Sequence, residues 1–111
     1  SGVFTFPSTG LYFIQFNGTF FFNGAANSNV NALITGTPDN STYDDLASAE
    51  CGGDQSYNKK KEATTQTYFN CTNVSTHKVR FRTTSMDNNT LIGNTGYNLT
   101  SFTFIRLGDS Q

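Results

Sequence analysis

Two apolar segments at the start of the chain predict strands with two hydrophobic faces. Residues 3–6 and 11–16 alternate as a pleated strand does, and a proline and a glycine lie between them. In the second segment one face carries Tyr12, Ile14 and Phe16, and the other carries Leu11 and Phe13. A strand of this kind needs a core on one side and a second layer or a neighbouring subunit on the other, because water would otherwise meet a large apolar patch. We therefore expect an opening hairpin that joins the core to a subunit interface.

Further along the chain, alternation between apolar and polar positions predicts short strands separated by polar turns. The expected strands are residues 30–35, 46–51, 64–71, 78–83 and 99–107, and the expected polar loops are residues 52–61 and 85–97. In the first of these strands the apolar side chains alternate with polar positions that we expect to be exposed to solvent, among them Thr35. Asn17 and Gly18 together predict a turn or bulge.

About seven short strands with turn signals between them indicate an all-β fold, an antiparallel β-sandwich formed by one domain over residues 1–111. The first and last strands are apolar on both faces, so we expect them to lie together. Because the chain starts abruptly inside a strand, we expect it to be the C-terminal fragment of a longer protein.

The composition favours strands and narrows the classes of partner. Charged residues make up 14% of the 111 residues, and phenylalanine, with 11 copies, is the dominant large hydrophobe. The net charge of -1 supplies no basic field for nucleic acid. No apolar run reaches the roughly 20 residues that a membrane helix needs, so membrane insertion is not expected.

Both ends of the chain resemble a known family. The opening carries the spacing Gly2-x-Phe4-x-x-Pro7-x-x-Gly10-x-Tyr12-x-Ile14, and the end carries N-T-L-I-G at residues 89–93 and S-F-T-F-I at residues 101–105. These resemble the G-x-F-x-x-P-x-x-G-x-Y-x-F signature and the last loop and strand of the jelly roll in the globular heads of complement and tumour necrosis factor. The family has several further N-terminal strands, which are absent here, and Thr103 stands where it has a glycine. The Asn/Thr/Ser-rich sequence of residues 38–43 and the C-terminal sequence of residues 104–109 resemble jelly-roll tips of marine bacteriophage fibre and structural proteins.

The resemblance implies a jelly roll that packs as a trimer about a threefold axis. The residues expected in the core or the trimer interface are Phe4, Phe6, Leu11, Tyr12, Phe13, Ile14, Phe16, Phe102, Phe104 and Ile105. The leading hypothesis is a non-enzymatic tip of a virion fibre or appendage, exposed on the virion surface. It would bind a host-cell glycan or protein and meet other virion proteins through a missing N-terminal segment. The alternatives are a secreted eukaryotic module of the complement-head type and a structural virion decoration without a receptor.

Candidate contact residues lie in the long polar loops, which a rigid scaffold would present to a partner. They are Tyr43, Asp44, Asp45, Tyr57, Lys59 and Lys60. A tyrosine among polar residues suits a sugar, although tyrosines also cap the small cores of loops. Two basic groups, residues 59–61 and the alternating Lys78, Arg80 and Arg82, could contact an anionic polysaccharide, but a solvated strand face explains them more simply.

No catalytic, cofactor or metal motif stands out. His77, the single histidine, has no acidic or nucleophilic companion at a motif spacing and is expected to be an exposed turn residue. Asp39, Asn40, Asp44 and Asp45 offer oxygen ligands, yet their spacing fits no calcium loop, so we expect no metal site.

The two cysteines and six glycosylation sequons are informative about the cellular compartment in which the protein folds. For Cys51 and Cys71 we favour free thiols, with a disulfide as the alternative. The sequons, which would be acceptors only in a protein secreted by a eukaryote, begin at Asn17, Asn40, Asn70, Asn73, Asn88 and Asn98.

Overall fold

A computed structural model describes residues 2–53 and 59–111, with the side chains of Asn27 and Ser28 excepted. Within these residues the chain forms eight strands. They are β1 (Val3–Thr5), β2 (Gly10–Phe21), β3 (Asn27–Thr37), β4 (Asp44–Gly53), β5 (Lys60–Cys71), β6 (Lys78–Thr84), β7 (Thr90–Ile92) and β8 (Ser101–Gly108). Over the same residues there is no helix that is long and apolar enough to span a bilayer.

The strands form two antiparallel sheets that pack face to face. Sheet A has the order β1-β6-β3-β4, and sheet B has β5-β2 followed by β7 and β8, which both pair with β2. Strands that neighbour one another are mostly distant in sequence, as in a jelly roll. The predicted all-β antiparallel sandwich is confirmed.

The core lies between the sheets and follows the predicted alternation. Tyr12, Ile14 and Phe16 of β2 are buried, whereas Leu11 and Phe13 lie half-buried on the outer side. From sheet A the core receives Val30, Ala32, Ile34 and Val79, all fully buried. Full burial of a large aliphatic or aromatic side chain contributes roughly 1.5–3 kcal/mol, so these few residues supply much of the driving force for folding.

The opening segment is not a hairpin, which corrects the prediction. β1 pairs with β6 in sheet A, whereas β2 lies in sheet B. The chain crosses between the sheets because the Phe6 ring is buried there, with its centre 4.6 Å from that of Tyr12 and 5.3 Å from that of Phe69. The Tyr12 hydroxyl then donates to the carbonyl of Ser8 at 2.7 Å and fixes the turn.

Three further local predictions were wrong. β2 runs without a break through Asn17 and Gly18, because β5 pairs with it along its whole length. Thr35 is only 1% exposed, since its neighbours on the outer side of sheet A cover it. Residues 90–92, which were expected in a loop, form β7 against the end of β2.

The last strand lies against the opening segment, as expected. β8 pairs with β2 from Leu11 to Asn17, and a bulge interrupts the register beside Leu11. Across the sandwich, the ring of Phe4 in β1 lies 6.0 Å from that of Phe102 and 5.5 Å from that of Phe104.

Candidate functional site

The outer side of sheet B carries an apolar face, defined here as Leu11, Phe13, Tyr68, Ile105 and Leu107. Phe13 pairs with Tyr68 on one side and with Ile105 on the other, and Leu107 lies at the bulge beside Leu11. Tyr68 is 66% exposed, Ile105 49% and Leu107 52%. Adjoining exposed apolar side chains of this kind make this face a candidate interaction surface.

The outer side of sheet A carries a polar face, defined here as Tyr43, Asp45, Lys78, Arg80 and Arg82. The guanidinium of Arg80 lies over the Tyr43 ring at 3.9 Å from its centre, and Arg82 lies 3.9 Å from the Asp45 carboxylate. The Lys78 ammonium donates to the carbonyl of Val74 at 2.8 Å. Because Arg82 and Asp45 are largely exposed, their pair is worth at most about 1 kcal/mol.

Tyr43 reaches this face from the loop of residues 38–43, which is held by hydrogen bonds. The Asp39 carboxylate accepts hydrogen bonds from the amides of Ser41 at 2.9 Å and Thr42 at 2.8 Å, and from the hydroxyl of Thr37 at 2.8 Å. The backbone bonds, Thr42 first, and the Thr37 hydroxyl hold the pKa of Asp39 well below the ordinary aspartate value of 3.8. Asn40, at the tip, has φ 62°, a conformation that asparagine tolerates.

The structure does not bring the predicted contact residues into one group. Tyr43, Asp44 and Asp45 lie where β4 begins, and Asp44 pairs there with Gly36. Lys59 and Lys60 follow the other end of β4, where the Lys59 carbonyl accepts from the amide of Phe22 at 2.9 Å. Tyr57 lies outside the described residues.

Tyr43 and Lys60, one from each group, have partners that the sequence did not reveal. One face of the Tyr43 ring is covered by Arg80, so that face is no free platform for a sugar. At the other end the Lys60 ammonium lies 5.5 Å from the centre of the Phe21 ring. The outward direction of Tyr68 could have been predicted from the inward alternation of Thr65, Thr67 and Phe69, but its pairing with Phe13 could not.

The ten residues expected in the core or the trimer interface divide into three sets. Phe6, Tyr12, Ile14 and Phe16 are core residues, and Leu11, Phe13 and Ile105 lie on the apolar face. Phe4, Phe102 and Phe104 line a third place, the open side of the sandwich between β1 and β8. A cavity of about 320 Å³ lies on that side, lined by Phe4, Thr5, Phe6, Pro7, Ser8, Tyr12, Phe104 and Arg106.

The two cysteines are free thiols, which confirms the favoured prediction. Cys51 is close enough to Lys61 to feel its charge, and Lys61 and Cys71 lie at opposite ends of β5, roughly 30 Å apart at the rise of a strand. A disulfide needs Cα atoms within about 7 Å, so this fold excludes the bridge. Burial raises the pKa of both thiols, which lowers their reactivity.

The structure describes His77 and the acidic residues that were weighed for catalysis and metal binding. His77 is half-buried rather than exposed, and its ring lies between the hydroxyls of Thr72 at 3.3 Å and Thr76 at 3.2 Å. Among these residues no three His, Cys, Asp or Glu side chains are grouped so that they could hold a metal ion.

The six sequons differ in accessibility. Asn17 is tied into sheet B, because its amide donates to the carbonyl of Leu99 at 3.0 Å and its oxygen accepts from the Thr64 hydroxyl. Asn70 exchanges two hydrogen bonds with Gln111, at 2.7 and 2.8 Å. The exposed sequon residues are Asn40, Asn73, Asn88 and Asn98.

No protein-family model and no curated protein matches this chain. The resemblance to jelly-roll heads rests on the residues at its two ends. Since one fold hosts many functions, function has to be argued from the two outer faces and the open side.

Proposed function

We propose that this chain is a non-enzymatic head domain that assembles as a trimer and attaches a virion fibre or appendage to a host-cell surface. The observation that carries the proposal is the contrast between the outer faces. The apolar face of sheet B exposes Tyr68, Ile105 and Leu107, whereas the polar face of sheet A carries paired charges and one aromatic ring.

Assembly follows from the apolar face. Tyr68, Ile105 and Leu107 are each about half exposed or more, and covering such side chains with a second copy is favoured by roughly 25 cal/mol for each Å² removed from water. The threefold arrangement is the one that the resemblance to trimeric jelly-roll heads implies. In that arrangement sheet B faces the axis and sheet A faces the surroundings.

Attachment would then use the polar face. The Asp45 carboxylate presents hydrogen-bond acceptors, and the Arg82 guanidinium presents donors. Tyr43 adds an aromatic edge beside Arg80. This combination suits the hydroxyls of a glycan or a polar protein surface. Lys59 and Lys60 would form a separate contact at the far end of β4. A single small site of this kind binds weakly, so three copies on one rigid trimer would gain their strength from avidity.

Binding of the purified protein to an array of cell-surface polysaccharides tests attachment. The wild type is expected to bind at least one glycan, and Asp45→Ala with Arg82→Ala should abolish that binding without affecting the trimer. Tyr68→Glu, which disrupts assembly, should weaken apparent binding by about 10²-fold or more through lost avidity. A stable trimer that binds no glycan and no host cell would favour a structural decoration instead.

A second proposal, a secreted module of the complement-head type, is favoured by the exposed sequons at Asn40, Asn73, Asn88 and Asn98. The intact mass of the native protein separates the two proposals. Added hexose units would support secretion by a eukaryote, and the bare chain mass would count against it.

A further inference from the structure

The edge strands are β1 and β4 in sheet A and β5, β7 and β8 in sheet B, and they differ in how they are protected. β4 carries Asp44, Asp45 and Glu50, and β5 carries Lys60, Lys61 and Glu62. β1 has no charged residue, and β8 has none from Ser101 to Ile105. Natural edge strands are commonly blunted by charges, because their unpaired backbone groups otherwise recruit another strand. β1 and the first five residues of β8 therefore lack this protection, and so do β7 and residues 63–71 of β5.

β1 and β8 lie on the same side of the sandwich. Phe4 of β1 pairs with Val79 and Phe102 of β8 pairs with Phe16, so both phenylalanines point toward the interior. Yet Phe4 is 39% exposed and Phe102 is 43% exposed, because nothing in the described part of the chain covers them.

On the opposite side the sheets close over each other. Leu46 of β4 and Phe69 of β5 both pack against Gly36, where a Cβ atom would lie within 3 Å of each. The open side instead holds the cavity of about 320 Å³ between β1 and β8. We define the strand slot as this cavity together with Phe4, Phe102 and the free edge of β8.

We propose that the strand slot binds an extended peptide segment of a partner polypeptide, which pairs with the free edge of β8, covers the exposed sides of Phe4 and Phe102, and places apolar side chains in the cavity beside Phe4. In the described residues β8 pairs with β2 alone, so its other edge offers a row of main-chain donors and acceptors. A peptide strand satisfies that row and fills the apolar slot at once, whereas a small apolar ligand fills only the cavity.

The charges around the slot restrict the peptide further. Arg106 is the only charged residue of β8, and it lines the cavity with its Nε donating to the carbonyl of Thr9 at 3.1 Å. Its other partner, Asp109, is 98% exposed and binds at 3.2 Å, so a carboxylate on the peptide can replace it at little cost. The expected segment alternates apolar and small polar residues and carries one acidic residue at the Arg106 end. This site depends neither on the trimer nor on host attachment.

A synthetic peptide that alternates valine and threonine, with a glutamate at the Arg106 end, tests the proposal on the full chain. It is added free and is also fused to the N-terminus through a flexible glycine-serine linker, which raises its effective concentration to the millimolar range. Amide hydrogen exchange of residues 101–105 should slow by at least about tenfold, whereas the edges of β4 and β5 should not change. A scrambled peptide of equal composition is the control.

Two substitutions connect the effect to the slot. Phe102→Lys, which places a charge inside it, should abolish the protection, and Val3→Lys, on the outward side of the neighbouring edge with a similar exposure of 43%, should not. If Phe102→Lys unfolds the protein, Phe4→Lys on the opposing wall replaces it. The proposal is overturned if the fused alternating peptide leaves the β8 amides unchanged, if the scrambled peptide protects them equally, or if Val3→Lys abolishes protection as Phe102→Lys does.

Discussion

Arg80 and Tyr43 form the contact that organises the outer side of sheet A. The guanidinium lies 3.9 Å from the centre of the ring, and its Nε donates to the hydroxyl of Thr35 at 3.3 Å. Arg80, held against the Tyr43 ring, thus lies over Thr35, which is 1% exposed although it points away from the core. A cation over an aromatic face contributes about 0.5–1 kcal/mol at an exposed site.

Tyr43→Ala should therefore lower the free energy of unfolding by about 1–2 kcal/mol, since it removes the stack and uncovers Thr35. Urea denaturation measures this loss. Tyr97→Ala is the matched control, because Tyr97 is 64% exposed and should cost no more than about 0.5 kcal/mol. Equal losses in the two variants would show that the Arg80 contact does not stabilise the fold.

Asp39→Asn should reveal a pH-dependent contribution from the loop that carries Tyr43. The folded pKa of Asp39 is lowered, so its stabilising effect is fully present above the ordinary value of 3.8 and is lost as the pH falls below it. The stability difference between wild type and variant should thus shrink on acidification from about pH 6 to pH 2. A difference that stays constant over this range would contradict the hydrogen-bonded carboxylate.

Phe16→Ala should destabilise the sandwich by about 3–5 kcal/mol, because it leaves a cavity in a well-packed aromatic cluster. The Phe16 ring is 1% exposed, and its centre lies 5.1 Å from that of Phe102 and 5.4 Å from that of Phe81. Phe21→Ala, at a half-buried position of the same strand, should cost less than half as much. If the two variants unfold at similar urea concentrations, Phe16 does not belong to the well-packed core.

Both cysteines should react slowly in the folded protein. Cys71 is fully buried and Cys51 is half-buried, and burial raises the pKa of both thiols. Iodoacetamide should therefore modify Cys51 before Cys71, and both should react quickly once the chain is unfolded. A native mass lower by two hydrogens, or faster labelling of Cys71, would contradict the separated free thiols.

The sequence predicts the elements whose burial repeats every second residue. Tyr12, Ile14 and Phe16 share one face of β2 as predicted, because the alternation of a strand is a local property, and the structure shows that this face is the buried one. The exposure of Thr35 was predicted wrongly, since Arg80, which is distant in sequence, lies against its hydroxyl. The hairpin was predicted wrongly because β1 pairs with β6, which is distant in sequence, and this pairing places β1 in sheet A.

The candidate surfaces were predictable to a lesser degree. The alternation places Leu11 and Phe13 together on one face of the strand, but the register of Phe13 with Tyr68 and Ile105, which completes the apolar face, depends on strands that are distant in sequence. The strand slot has no sequence signature. Phe4 and Phe102 have the pattern of core residues, and only the arrangement of edges leaves them exposed.

Sedimentation velocity on the purified chain tests the central claim, that the apolar face of sheet B holds copies together. The wild type is expected to sediment as a trimer, and Tyr68→Glu should shift it to the monomer by placing a charge in the interface. Tyr97→Glu is the control, since Tyr97 is 64% exposed against 66% for Tyr68 but lies in the loop between β7 and β8 and is not one of the residues that define that face, and it should leave the trimer intact. A wild type that remains monomeric at every concentration, or a Tyr68→Glu variant that assembles as the wild type does, would contradict the claim.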